Sequence, residues 1–378
     1  MAPLATVLVI SFSDLAADPR VDRQIAALLT RHEVVAAGLG PPNQAGVEFV
    51  DLTMPPLGLV DGGIGVVRLL AHRFETAYWR HPRYRAAFER LSGVAADVVV
   101  ANDVDALPIA ARLGPPVVLD AHEYAPEQFT DQWWWRQLFA PYVRWQCRRY
   151  IPEVAAMTTV SPGIADAYDR EFGVCATVVT NAPPFAHLEP KPVGDPVRLL
   201  HHGGASPGRG LEEMIRLVDL LDERFVLDLV LVDAKPGFRD RLARQARGNS
   251  RIRFPSPVPM RKLVSMANGY DIGLFLLPPT NVHRTFALPN KLFEFIQGRL
   301  AVAIGPSPEM AAVVRRYGCG VVASDFRPES LAETLNGLDS VAIEGFKRAS
   351  HLAAPELCAE RNADLILGAV DTALRSRG

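Results

Sequence analysis

Short apolar runs punctuate the first half of the chain: Val7 to Ile10, Val34 to Ala37, Val98 to Ala101, Val117 to Leu119, Met157 to Val160 and Val178 to Thr180. Each has the length of a strand. Between them apolar residues recur at helical spacing, as Val21, Ile25, Leu28 and Leu29 do. Strands alternating with helices predict a parallel sheet covered on both faces. From Ala182 to Pro196 the alternation stops, and that segment carries five prolines and little helical period, which places an interdomain linker there. A second series follows, with Val197 to His201, Leu227 to Val232, Ile252 to Phe254, Ile272 to Leu277, Ala301 to Ile304 and Gly320 to Ala323. The expectation is an α/β protein of two doubly wound domains, 1–188 and 189–357. The remainder, 358–378, holds a last helix (about Cys358 to Leu374) that can pack on either domain and is assigned to the first.

Length agrees, since 378 residues exceed the size at which one core usually keeps growing. With 40 Lys and Arg against 42 Asp and Glu the chain is near neutral, which argues against nucleic acid as a partner. Cys147, Cys175, Cys319 and Cys358 lie far apart, without the spacing of a disulfide framework or a zinc site, and read as reduced, buried thiols. Met1 leads almost directly into the first strand, and no run approaches the roughly 18 apolar residues of a spanning helix. The expected setting is the cytoplasm.

In doubly wound sheets ligands bind beyond the carboxyl ends of the strands, so the informative loops begin near Ser11, Asn102, Asp120, Gly203, Asp233 and Pro278. One of them, His202-Gly203-Gly204-Ala205-Ser206-Pro207-Gly208-Arg209-Gly210, is a glycine-rich strand-to-helix turn. Its glycines let a phosphate approach the backbone, and Arg209 can pair with that phosphate bidentately. Further on, Leu288-Pro289-Asn290-Lys291-Leu292-Phe293-Glu294-Phe295 follows the apolar run at Ile272. Pro289 suits the first turn of a helix, Asn290 and Lys291 then sit among the unpaired amides that attract anions, and Lys291 adds a mobile positive charge. Glu294 can accept two hydrogen bonds from a vicinal diol such as a ribose. The same stretch also reads as an ordinary amphipathic helix, with Leu292, Phe295 and Ile296 on the core and Lys291 and Glu294 as a solvated pair.

In their order along the chain these pieces resemble a GT-B glycosyltransferase of family 4, together with Asp18-Pro19-Arg20-Val21, Ala101-Asn102-Asp103, Leu107-Pro108, Asp120-Ala121-His122-Glu123, Thr159-Val160-Ser161 and Asn181. The resemblance covers nearly the whole chain. It implies two Rossmann-like domains facing a cleft, with the acceptor on the first and a nucleoside diphosphate sugar on the second. Gly203, Gly204, Arg209, Asn290, Lys291 and Glu294 then bind the donor, Glu294 at its ribose; Arg209 and Lys291 assist departure of the diphosphate. His122 is expected in a catalytic role near the transferred sugar, with Arg20 and Glu123 beside it toward the acceptor. Two positions depart from the family pattern: Phe286 replaces the first of two glutamates, and Gly204 stands where an arginine is frequent.

Asp103-Val104-Asp105 has the look of a metal motif, but it precedes a helix, whose dipole favours acidic residues there, and it falls in the acceptor domain. No metal and no cofactor beyond the donor substrate is expected. Trp133-Trp134-Trp135-Arg136, with Tyr142, Arg144, Trp145, Arg148, Arg149 and Tyr150, mixes aromatics with positive charge. Two of the three tryptophans are expected in the core, since Trp is usually largely buried. The alternative is a face that rests on the inner leaflet of a membrane or holds a lipid-linked acceptor. Acceptor choice is assigned to variable loops such as Pro55 to Gly65 and the Trp133 region.

The activity expected is transfer of a sugar to an acceptor hydroxyl with retention of configuration, the acceptor being a small molecule or a lipid-linked saccharide. A sugar-nucleotide 2-epimerase and a non-catalytic nucleotide-sugar-binding protein are the alternatives.

Overall fold

A computed structural model describes residues 4–54, 59–130, 132–279 and 285–376, with the backbone alone for 59–62. The chain divides into two compact units. One runs to Thr180 and resumes at Asn362, and the other spans Asn181 to Arg361.

In the first unit the order is β1 (Thr6–Ile10), α1 (Pro19–Leu28), β2 (Glu33–Gly38), β3 (Glu48–Asp51), α2 (Leu59–Leu70), α3 (Phe74–Trp79), α4 (Pro82–Leu91), β4 (Val98–Asn102), α5 (Leu107–Leu113), β5 (Val117–Ala121), α6 (Trp133–Tyr150), β6 (Ala156–Thr159), α7 (Pro162–Phe172) and β7 (Thr177–Val178). The strands form one parallel sheet in the order β3-β2-β1-β4-β5-β6-β7. Leu8 on β1 faces Val35 on one side and Val99 on the other, and the topology reverses between β1 and β4. Asp18 starts α1 by accepting hydrogen bonds from the amides of Arg20 (3.1 Å) and Val21 (3.3 Å), with Pro19 at the first helical position.

The second unit follows with β8 (Val197–Gly204), α8 (Leu211–Leu220), β9 (Phe225–Val232), α9 (Phe238–Gln245), β10 (Ile252–Arg253), α10 (Met260–Ala267), β11 (Ile272–Phe275), α11 (Asn290–Gln297), β12 (Ala301–Ile304), α12 (Pro308–Tyr317), β13 (Gly320–Val322), α13 (Pro328–Asn336) and α14 (Ser340–Ala353). Its parallel sheet has the order β10-β9-β8-β11-β12-β13, so the reversal falls between β8 and β11. Side chains alternate across it: Leu199 and Leu229 join Leu211 and Val218 on one face, while Leu200 and Val230 join Leu292, Phe295 and Ile296 on the other. Each fully buried Leu, Ile or Phe contributes roughly 2 kcal/mol, so three of them on one turn and a half hold α11 firmly against β11.

The closing helix, α15 (Ala359–Arg375), places Leu367, Val370 and Ala373 in the apolar cluster of Val7, Val9, Ile25 and Val100 in the first unit. The proline-rich segment after Thr180 is pinned rather than loose. Ala186 accepts from the buried Arg299 guanidinium at 2.6 Å, and its amide donates to Gln297 at 3.0 Å.

Several local expectations change. Residues 59–65 of the loop assigned to acceptor choice are the start of α2, and Pro55 to Gly58 lie outside the described residues. Of the three tryptophans only Trp135 is core, at 7% exposure, whereas Trp133 is 71% and Trp134 43% exposed. Cys175 is exposed, unlike the other three thiols. Gly210 closes the glycine turn at φ +69, where a β-carbon would collide with the carbonyl oxygen of Leu276. Gly210→Ala is therefore expected to lower stability by about 2 kcal/mol or more, read as an earlier urea midpoint at unchanged slope.

Candidate active site

Two clusters of polar side chains gather at the carboxyl ends of the strands, one at the reversal of each sheet. That is where doubly wound sheets place ligands.

In the second unit, the turn after β8 and the start of α11 flank the β8–β11 reversal. Lys291 bridges the two. Its Nζ stands 3.3 Å from Nε2 of the buried His201 and 4.7 Å from the centre of the Phe275 ring. His201 Nδ1 lies 2.8 Å from the carbonyl oxygen of Leu274, which can only accept, so Nδ1 carries the proton and Nε2 receives the lysine. Burial, then the charge of Lys291, holds His201 well below the usual histidine range. Burial, then the charge of Arg209, pulls the Lys291 ammonium down to about 7, offset in part by Glu294. The expected mobile charge is thus a positioned amine poised near neutrality.

Gly203 explains that placement. Its φ is +130, and a β-carbon there would come within 3.2 Å of Lys291 Nζ. Gly204 ends β8, with Ala234 close beside it. Arg209 is exposed on the turn, its Nε donating to Ser206 Oγ at 3.0 Å. Pro289 serves as the cap residue of α11 rather than its first helical residue, which leaves Asn290 and Lys291 at the helix mouth. Glu294 is buried and no solvated partner of Lys291; its Oε2 lies 3.5 Å from His202 Nε2. Burial and Lys291 push His202 down to about 3, so it is neutral, and its Nε2 has no hydrogen-bond partner among the described residues. Phe286 is half-buried.

In the first unit, His122 follows β5 and is gripped from β4. Its amide donates to Asp103 Oδ1 at 3.0 Å, its Nδ1 lies 3.4 Å from Asp103 Oδ2, and its Nε2 lies 3.1 Å from Asn102 Oδ1 and 3.5 Å from Asp120 Oδ2. Burial alone would lower its pKa, but the carboxylates of Asp103 and Asp120 outweigh that and raise it to about 9. His122 is an imidazolium at neutral pH.

Asp120 accepts from Arg20 Nε (2.9 Å) and Nη2 (2.5 Å), Gln24 Nε2 (3.0 Å) and Thr158 Oγ1 (2.6 Å). Burial would raise its carboxyl, yet Arg20 and His122 hold it well below the usual range. Arg20 is therefore turned inward. It is buried, bidentate to Asp120 and donates to Val179 O at 2.7 Å, which corrects the expectation that it faces an acceptor. Glu123 is half-buried, its carbonyl accepting from Tyr168 OH at 3.0 Å. Asp103, expected to favour the dipole of the following helix, instead sits at φ +63 and holds His122, while α5 starts only at Leu107. Asp103 and Asp120 were singled out in the sequence without this role, whereas Gln24, inside the first helix, and His201, at a predicted strand end, were not marked by any spacing.

Residues 20–189 match the family described as Glycosyltransferase Family 4. No curated protein matches the chain in sequence. Among solved structures, sucrose-phosphate synthase from Thermosynechococcus elongatus is similar at a TM-score of 0.72 and 12% identity, covering 99% of this chain and 100% of that one. HepE from Anabaena, in complex with UDP, is similar at 0.69 and 13%, covering 97% and 100%. WaaG, a glycosyltransferase involved in lipopolysaccharide biosynthesis, is similar at 0.64 and 15%, covering 96% and 100%. The two sheets with their helices have the architecture of these proteins, the GT-B fold.

Proposed function

We propose that this glycosyltransferase, of the GT-B fold and resembling family 4, takes a nucleoside diphosphate sugar on its second unit. From there it passes the sugar to an acceptor hydroxyl with retention. One observation carries the donor reading. Lys291 and Arg209 bring two cationic groups to the mouth of α11, close enough for Arg209 to depress Lys291, and Glu294 offsets them only in part. A diphosphate supplies the missing negative charge, and the helix amides add donors for it. Glu294, one turn along, is the candidate for the ribose hydroxyls. HepE is described with UDP, so uridine leads the nucleotides to test.

In the step proposed, the bond from the anomeric carbon to the diphosphate oxygen breaks while the acceptor oxygen bonds to that carbon on the same face. The acceptor's proton passes to the departing phosphate. Arg209, Lys291 and the amides stabilise the leaving charge, an effect of the oxyanion-hole kind. His122, being protonated, donates a hydrogen bond and is no general base; its assigned place is beside the transferred sugar, in the acceptor-binding unit with Glu123. No metal is required in this reading, because the amine and the guanidinium neutralise the diphosphate and Asp103 is engaged with His122.

A thermal-shift series with UDP, GDP, ADP and their sugars tests the site, since a ligand of the folded state stabilises it in proportion to ln(1+[L]/Kd). Glu294→Ala is expected to weaken nucleotide binding by roughly 10 to 100-fold, the loss of one or two hydrogen bonds to a charged group, with turnover at saturating donor changed far less. Nucleotide affinity equal to that of the wild type would remove Glu294 from the site. EDTA is expected to leave turnover unchanged.

A further inference from the structure

The outer surface of α2 is inverted relative to an ordinary amphipathic helix. Gly63, Val66, Val67 and Leu70 share one helical face, and that face is exposed: Val67 at 63% and Leu70 at 62%. Nothing charged interrupts it. The inward side of the same helix is carried by Leu69. α2 packs along α6, whose first turn presents the exposed Trp133 and Trp134, with the exposed Phe129 just before it. A groove of about 610 Å³ runs beside α6, lined by His72 and Phe74, which follow α2, and by Arg136, Pro141 and Trp145 of α6. Trp133 stands one turn before Arg136 and two before Ala140, so it continues the α6 side of that groove.

We propose that the outward stripe of α2 and the Trp133–Trp134 turn of α6 form a docking surface for an anionic lipid bilayer. Charge selects that occupant over a second copy of the chain or an apolar protein partner. Although the whole chain carries a net −2, residues 59–90, from the start of α2 onward, hold six arginines (Arg68, Arg73, Arg80, Arg83, Arg85, Arg90) against Asp61, Glu75 and Glu89. Arg68, Arg73 and Arg136, nearest the apolar stripe, form no ion pair among the described residues, whereas Arg148 and Arg149 are matched by Glu171 and Glu153. Arginines beside exposed indoles and aliphatic side chains suit the boundary between headgroups and acyl chains, where indole rings gather and anionic lipid attracts basic residues. No helix among the described residues is long and apolar enough to cross a membrane, so the contact is interfacial. The surface stands independently of the donor site on the second unit.

Flotation of the full chain with phosphatidylcholine vesicles, with and without phosphatidylglycerol, tests this. The wild type is expected to float with the anionic vesicles and to be released by high salt. The pairs Val67→Asp/Leu70→Asp and Trp133→Ser/Trp134→Ser are each expected to reduce the bound fraction by about 10-fold or more, while keeping the wild-type thermal midpoint and nucleotide response. Arg148→Ala/Arg149→Ala is expected to change binding little, because those charges are already paired. Failure of the wild type to bind anionic vesicles would overturn the proposal, as would unchanged binding by both apolar pairs. A concentration-dependent dimer in sedimentation velocity that Val67→Asp abolishes, without vesicle binding, would assign the face to a second copy instead.

Discussion

Lys291→Ala is expected to lower turnover by roughly 10²-fold or more, the typical effect of removing one preorganised donor to a developing anion, while the protein stays folded. The size follows from its setting. The amine is held between His201 and Phe275 at the β8–β11 reversal, so nothing need reorganise when the diphosphate leaves. Its pH dependence is a sharper test. Free, Lys291 titrates near 7; beside a diphosphate its ammonium form is stabilised and its pKa rises. Below about pH 7 the amine is already charged, and nucleotide affinity is level. Above it, binding must take up a proton, and Kd is expected to rise about tenfold per pH unit. Calorimetry in buffers of different ionisation enthalpy would show that uptake at pH 8 for the wild type and its loss in Lys291→Met.

The same linkage gives an opposite effect on stability. The folded pKa of about 7 lies below the ordinary 10.5, so the folded state binds fewer protons between those values and stability rises with pH across that window. The penalty is present in full below pH 7. Lys291→Met is therefore expected to raise the thermal midpoint of the unliganded protein at pH 6, and to lose that advantage toward pH 10. An equal shift at both pH values would mean that the amine is not the strained group.

Asp120→Ala is expected to cost about 3–5 kcal/mol, because it breaks a buried ion pair by removing the carboxylate from Arg20. Arg20 would lose both of its bonds to Asp120, and Gln24 and Thr158 would each lose a partner. For a protein of this size such a loss lowers the thermal midpoint by roughly 5 °C. Asp120 has its folded pKa depressed below 3.8, so its stabilising contribution is present above that value and lost as pH falls through the folded pKa. His122 has the opposite sign. Raised from 6.5 to about 9, it stabilises fully below 6.5 and ceases to do so as pH rises through 9. Asp120→Ala removes one of its two carboxylates, and the His122 ring resonance is expected to titrate at a lower pH than in the wild type. An unmoved titration would leave Asp103 as the sole determinant of the His122 charge.

The strands were legible because parallel, doubly covered strands must be apolar throughout, as Val98-Val99-Val100-Ala101 are. β3 was not, since Glu48-Phe49-Val50-Asp51 is a half-exposed edge with polar residues at both ends. α2 hid behind Gly62, Gly63 and Gly65, which read as loop, and its apolar stripe would ordinarily mark a buried face. Glu294 and Lys291 were visible by type and spacing. Their state was not, because the depression of Lys291 depends on His201, Phe275 and Arg209, which reach it through the pairing of β8 with β11. Likewise an Asp before a helix reads as a dipole partner until β5 brings His122 to it.

The division of the chain also orders its assembly. Every residue of the second unit precedes Asn362, whereas the first unit needs Leu367, Val370 and Ala373 of α15 to complete the apolar cluster beside β1 and β4. During synthesis the sheet made first therefore waits longest, with the surface under α15 uncovered until residues 359–375 have emerged. The later-made unit can close before it, reversing the usual order in which amino-terminal domains finish first.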